Sequence, residues 1–165
     1  QQEDYKMIKV RKATEDEVAT IAKLSDEIIK DLGRKGHADY FGGVDEDEVS
    51  EAMEGESTTF VAVNETDEIV GFLLALKSDT SYCINGYGVK TEYQGKGIAK
   101  MLMKTAEGYA LDNGVTVLDG TVHPDNIASR MALQSIGVRY FEGEEFVHHT
   151  KDGRELRRKT FTIEL

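Results

Sequence analysis

Cysteine is almost missing from this chain: Cys83 is the one thiol in 165 residues. A lone cysteine forms no intramolecular disulfide and anchors no thiolate metal cluster, which fits a reducing compartment, and its simplest use is as core filler. Long hydrophobic runs are lacking as well. No stretch approaches the roughly 20 apolar residues of a membrane span, and Gln1-Gln2-Glu3-Asp4 is unlike a secretion signal, so a soluble, cytoplasmic protein with no membrane partner is expected. Positive charge is the third shortage. The 20 basic side chains face 31 acidic ones, a formal charge of −11, and no basic patch offsets repulsion from phosphates, which argues against a nucleic acid partner. What remains, 39% hydrophobic residues without repeats or low-complexity linkers, suffices for one core: a domain over residues 7–165 behind a polar tail, 1–6.

Along the chain, residues 7–10 read as a first strand. Thr14-Glu15-Asp16-Glu17 is a capping box, and Val18, Ile21, Ala22, Ile28, Ile29 and Leu32 recur at helical spacing until Gly33. Residues 33–44 set Gly33, Gly36, Gly42 and Gly43 among Arg34, His37, Asp39, Tyr40 and Phe41. That is too glycine-rich for a regular element and too long for a simple turn, which marks a candidate functional loop. A short acidic helix follows over 45–54. Residues 58–63 and 68–76 form a hairpin around Asn64-Glu65-Thr66-Asp67, and 81–89 form a fourth strand in which Gly86 and Gly88 signal a bulge or a close backbone approach. A helix spans 98–113 and a fifth strand 115–122. After His123-Pro124-Asp125-Asn126, a capped helix presents Ile127, Ala128, Met131, Ala132 and Ile136 as its apolar face. Residues 138–149 and 155–165 make a last hairpin, where Arg154, Arg157, Arg158 and Lys159 suit a solvated edge strand. The total is about seven strands and about four helices, a single-domain α/β (α+β) fold.

The stretch 86–103, from the fourth strand through Gln94-Gly95-Lys96-Gly97-Ile98-Ala99 into a helix, organises the rest. A strand feeding a helix N-terminus through glycines turns several unpaired N–H groups toward one point, an anion site that a diphosphate can approach closely. A nucleotide-triphosphatase loop is excluded because Gly95-Lys96 is followed by Gly97 rather than Ser or Thr. A dinucleotide fingerprint is disfavoured because its third glycine would fall on Lys100.

Val89, followed five residues later by Gln94-x-x-Gly97-x-Ala99, resembles the acyl-CoA signature Arg/Gln-x-x-Gly-x-Gly/Ala of the GNAT superfamily of N-acyltransferases. The resemblance spans about residues 8–165. It implies a mixed, mostly antiparallel twisted sheet splayed between strands four and five, acetyl-CoA as cosubstrate and no metal. It also implies a primary amine of a small molecule or peptide as acceptor, attacking directly in a ternary complex, with contributions from the 33–44 loop. Cofactor contacts are implied at Gly88 and Val89 (amides for the oxyanion), at Gln94, Gly95, Lys96, Gly97, Ile98 and Ala99 (pyrophosphate), and at Asn126 and Ser129 (pantetheine arm). A homodimer through the last strands would fit the family.

The tyrosine that many relatives use to protonate the departing thiolate falls here on Leu133. Tyr87 and Tyr140 are the alternative donors, and the thiolate can also leave unprotonated. The fourth strand carries no glutamate, which leaves His123 as the candidate base, weighed against a plain exposed loop histidine. His148-His149 has no spaced partner and reads as strand surface. The loss of the usual acid keeps a second function open, an acyl-CoA-binding or sensing module with little chemistry.

Overall fold

A seven-stranded sheet with helices on both faces forms the frame, in a computed structural model that describes residues 7–137 and 142–165. The elements are β1 (Lys9–Lys12), α1 (Val18–Arg34), α2 (Glu46–Glu51), β2 (Thr58–Val63), β3 (Ile69–Lys77), β4 (Tyr82–Val89), α3 (Ile98–Asp112), β5 (Val117–Val122), α4 (Ile127–Gln134), β6 (Glu142–His149) and β7 (Glu155–Glu164). The strand order is β1-β2-β3-β4-β5-β7-β6. Every pairing is antiparallel except β4 with β5. The tail 1–6, Tyr140 and the first residues expected of the sixth strand lie outside the described residues.

Local chemistry sets the connections. Asn64 Oδ1 accepts from the N–H of Thr66 and of Glu68, tying the β2–β3 turn, where Asp67 takes φ +63°. Asp45 caps α2 by accepting from Glu48 N–H at 2.8 Å. The β2 strand is buried on both faces, so it reads as a continuous apolar run rather than an alternation. On one face Ile21, Leu24, Ile28, Val49, Phe72 and Leu74 join α1 and α2 to the sheet. On the other, Leu73, Tyr82, Leu102, Met103, Leu118 and Phe161 join α3 and α4 to it.

Two expectations are corrected. The basic run is on β7, which lies between β5 and β6 and is not an edge. Its arginines answer to neighbours on both sides, as shown below. The α4 helix turns Leu133 inward, with Ile136 just beyond it buried as expected, while Ile127 and Met131 are 60% and 63% exposed. In a helix of eight residues the spacing permits two apolar faces, and packing against the sheet selected the one holding Leu133.

The capping box precedes a single 3-10 turn, Glu15–Glu17, and Glu17 also forms a bidentate pair with Arg11 at 2.8 Å. That pairing holds the Glu17 carboxyl down to about 2. Its stabilisation is complete above the ordinary glutamate range and is lost as the pH falls through about 2. Glu17→Gln should therefore cost about 1–2 kcal/mol at neutral pH, after discounting for the part-exposed Arg11. Urea midpoints measured from pH 7 to pH 2 should show that gap closing below about pH 4.5.

Candidate active site

The parallel pairing of β4 with β5 runs through Tyr82–Leu118, Cys83–Asp119 and Ile84–Gly120 and stops there. Beyond it the β3–β4 register shifts by one residue between Leu73 and Ala75, which places a bulge at the Asn85-Gly86 level, with Gly86 at φ +126°. The bulge bends β4 away while β5 continues along β7 to Val122. The sheet thus opens from Gly86 to Val89 on one side and from Thr121 to His123 on the other.

Which backbone groups face this gap follows from the ladder. Lys90 N–H donates to Val70 O, so positions 90 and 88 bond to β3, while the N–H groups of Tyr87 and Val89 point to the side that β5 has left. Gly88 therefore aims its amide at β3 rather than into the gap, which corrects the expected oxyanion role for that residue. Its glycine serves packing, because a Cβ there would lie 2.7 Å from Ile28 Cδ1. Val89 keeps the expected orientation.

The chain then turns through a 3-10 turn, Thr91–Tyr93, into α3. The Gln94 side chain donates to Val89 O at 2.9 Å, locking the turn to the strand end. Gly97 is the N-cap at φ +80°, with no side-chain cap. The first helical bond runs from Met101 N–H to Gly97 O, so the amides of Ile98, Ala99 and Lys100 have no carbonyl inside the helix to meet. A Cβ on Gly95 would meet nothing within 4 Å, which leaves an open approach to the turn. Lys96 Nζ lies 5.5 Å from the centre of the Tyr93 ring. Main-chain donors arranged in this way suit an anion.

Across the gap, Asn126 caps α4 by accepting from Ser129 N–H at 3.2 Å. Leu133 is fully buried in the core. The Tyr87 hydroxyl is buried without a hydrogen-bond partner among the described residues; the Ser129 side chain lies beside it, outside bonding geometry. Burial pushes this phenol up to about 12, against smaller opposing pulls from Ser129 and Arg158. The group stays protonated at any physiological pH.

His123 is 2% exposed, not a free loop side chain. Its Nδ1 accepts from Asp125 N–H at 3.0 Å, which leaves the proton on Nε2, and Nε2 lies 2.8 Å from Asp39 Oδ2. Neither ring nitrogen keeps a lone pair for a substrate proton, which corrects its reading as a base. The Tyr40 ring packs against His123 at 4.6 Å and stacks on His37 at 4.4 Å, and Tyr40 Oη donates to Asp125 O. Arg154 donates to the carbonyls of Ala38, Phe41 and Gly42, and Arg158 to that of Tyr40. The glycine-rich loop is therefore pinned at the mouth of the gap, with Asp39 42% exposed there. The loop was legible in the sequence; its clamps were not. The one available signal was the even spacing of Arg154, Leu156 and Arg158, which places them on one face of a strand.

A separate cleft of about 400 Å³ lies between α1 and the β2–β3 turn, lined by Glu17, Glu27, Glu68 and Lys90 among others, and has no part of the gap in its walls. Among the described residues no group of His, Cys, Asp and Glu is placed to hold a metal, and no helix is long and apolar enough to cross a membrane.

This splayed sheet with an uncapped helix at its opening defines a class of protein, and residues 23–137 match the model of the acetyltransferase (GNAT) family. The chain belongs to that family. It is 33% identical over 85 residues to the L-2,4-diaminobutyric acid acetyltransferase of Marinococcus halophilus, a match spanning 49% of each protein. Among solved structures it is similar to a phosphinothricin acetyltransferase of Sinorhizobium meliloti in complex with acetyl-CoA, with TM-score 0.76, 16% identity and coverage of 96% of this chain and 89% of that one. It is also similar to a ribosomal-protein-alanine N-acetyltransferase of Brucella melitensis, with TM-score 0.74, 19% identity and coverage of 95% and 99%.

Proposed function

We propose that the protein transfers an acetyl group from acetyl-CoA to the primary amine of a small molecule or peptide, with both reactants held at once and the amine attacking directly. The observation that carries this reading is the coincidence of the sheet opening with three helix amides that have no internal acceptor. Such a cradle suits a pyrophosphate, and the opening suits a slender pantetheine arm. When bound, acetyl-CoA supplies an acyl group activated as a thioester.

The chain's own residues divide the remaining work. Ile98, Ala99 and Lys100 hold phosphate oxygens through their amides, with Gly95 and Gly97 permitting the approach and Lys96 adding charge. Gln94 acts by fixing the turn. Val89 N–H donates to the oxygen on which negative charge grows. Asn126 retains its side-chain N–H₂ for the pantetheine arm while its oxygen caps α4, and Ser129 lines the same wall. The Tyr87 hydroxyl, protonated and unbonded, gives a proton to the departing sulfur, the task Leu133 cannot perform. His123 positions Asp39, whose carboxylate meets the acceptor's ammonium and passes to solvent the proton it must lose before the neutral amine attacks. The proton the nitrogen sheds as the amide forms replaces the one Tyr87 gives to the sulfur.

The test is thiol release from acetyl-CoA across a panel of amines. Binding of acetyl-CoA with no turnover of any amine would favour a sensing module instead. For His123, replacement by Ala should lower kcat/KM for the amine about 10- to 100-fold with little change in the KM for acetyl-CoA. His123→Gln keeps a neutral donor for Asp39 and should recover much of that loss. A titrating base would not be rescued by glutamine.

A further inference from the structure

Three arginines lie on or just before β7, and among the described residues only two have carboxylate partners. Arg154 pairs with Asp152, and Arg157 pairs with Glu145 and Asp125. Arg158 makes a single hydrogen bond, to Tyr40 O at 3.2 Å, and no carboxylate of the described residues lies within 4 Å of it, in a chain of formal charge −11. It is half-buried, and desolvation pulls its pKa down, against smaller upward pulls from Tyr87 and from Asp39, which lies too far away to pair with it. A guanidinium withdrawn from water without an anion is costly and persists where an anion arrives from outside.

The sheet register says where that anion would arrive. Val122 pairs with Lys159, so Arg158 stands one residue further along β7, at the level of His123, where β5 ends. On the far side of the gap, Tyr87 is three residues past Ile84, the last β4 residue paired with β5, and the bulge absorbs one of them. Tyr87 thus stands at the level of Val122, one residue from His123 and Arg158, and it is close enough to the Arg158 guanidinium for the two to interact electrostatically. The Tyr87 hydroxyl there is a buried polar group with no hydrogen-bond partner among the described residues. Asp39, held by His123, supplies the opposite charge from the same loop that Arg158 touches through Tyr40.

We infer that the acceptor is an amino acid or a similarly small amine bearing a carboxylate, and that Arg158 binds this carboxylate while Asp39 faces the ammonium. The inference rests on the transferase reading above. A polyamine would call for a second acid where Arg158 stands, and its charge would be repelled there. A guanidinium presents paired N–H donors that match a carboxylate in geometry as well as charge.

The experiment compares amino acids with the amines left after removing the carboxylate: L-2,4-diaminobutyrate with 1,3-diaminopropane, and L-lysine with cadaverine. The wild type should favour the carboxylate-bearing member by at least about 10-fold in kcat/KM, and Arg158→Gln should collapse that preference by about 10- to 100-fold. Arg158→Lys keeps the charge without the fork and should restore part of it, and an unchanged KM for acetyl-CoA would report an intact fold. Equal or better use of the diamines by the wild type overturns the inference while leaving the transferase standing. So does a rise in the acetyl-CoA KM in Arg158→Gln with the preference intact, which would give the arginine to the cofactor. Absence of thiol release with every amine of both sets, despite acetyl-CoA binding, overturns this inference, and the transferase reading falls with it only if the wider amine panel, peptides included, is also inert.

Discussion

Gly97→Val should weaken acetyl-CoA binding by at least about 100-fold, read by calorimetric titration. Two costs combine. Gly97 sits at φ +80°, where a side chain is strained by about 1–2 kcal/mol and a β-branched one by more. To escape that strain the turn must rotate, which swings the amides of Ile98 and Ala99 off the point at which they converge. The new side chain also stands where a phosphate would approach the main chain most closely. Because α3 packs its other face into the core through Leu102, Met103 and Ala106, the fold should survive with a modest loss in melting temperature. Affinity within about threefold of wild type would remove the cradle from the mechanism.

Tyr87→Phe should lower kcat about 30- to 100-fold while leaving the KM for acetyl-CoA nearly unchanged, the signature of a proton donor that acts only as the sulfur departs. The same variant should be as stable as the wild type or more stable by up to about 1 kcal/mol. It removes a buried hydroxyl that has no partner among the described residues. A packing tyrosine would give the opposite pair of results, with stability falling and turnover intact. Since burial holds this phenol near 12, the wild-type rate should show no loss of an acid from this group between pH 6 and pH 10. Free-thiol assays across that range and a thermal melt of both proteins decide the matter.

Much of the architecture could be read before any coordinates, because it is written in local terms. The seven strands, the four helices, the loop over 33–44 and the bulge at the fourth strand follow from spacing, caps and glycines. The uncapped start of α3 was equally legible, since it consists of consecutive main-chain amides preceded by Gly95 and Gly97, both at positive φ, rather than of contacts with a distant partner. What failed to show in sequence were choices between equivalent local options. The α4 helix carries apolar residues on two faces, and only the sheet beneath it decides that Leu133 goes in and Met131 stays out. The arginines of β7 look like a solvent edge until the chain order of the sheet places β6 outside them.

His123 makes the same point at the level of chemistry. The residues between Thr121 and Asn126 suggest a histidine beside the reacting groups, and its type alone offers a base. The ring's protonation is decided by Asp125 N–H on one nitrogen and by Asp39, 84 positions earlier in the chain, on the other. By itself the sequence determined the elements, the glycine-rich turn from strand to helix and the membership that its Gln94-x-x-Gly97-x-Ala99 pattern suggests, since each depends on residues a few positions apart. Only the tertiary structure decided which amide faces the gap and, among the described residues, which hydroxyl lacks a partner and which arginine lacks a carboxylate within 4 Å. Those properties belong to pairs of segments brought together across the sheet, and no run of neighbouring residues encodes them.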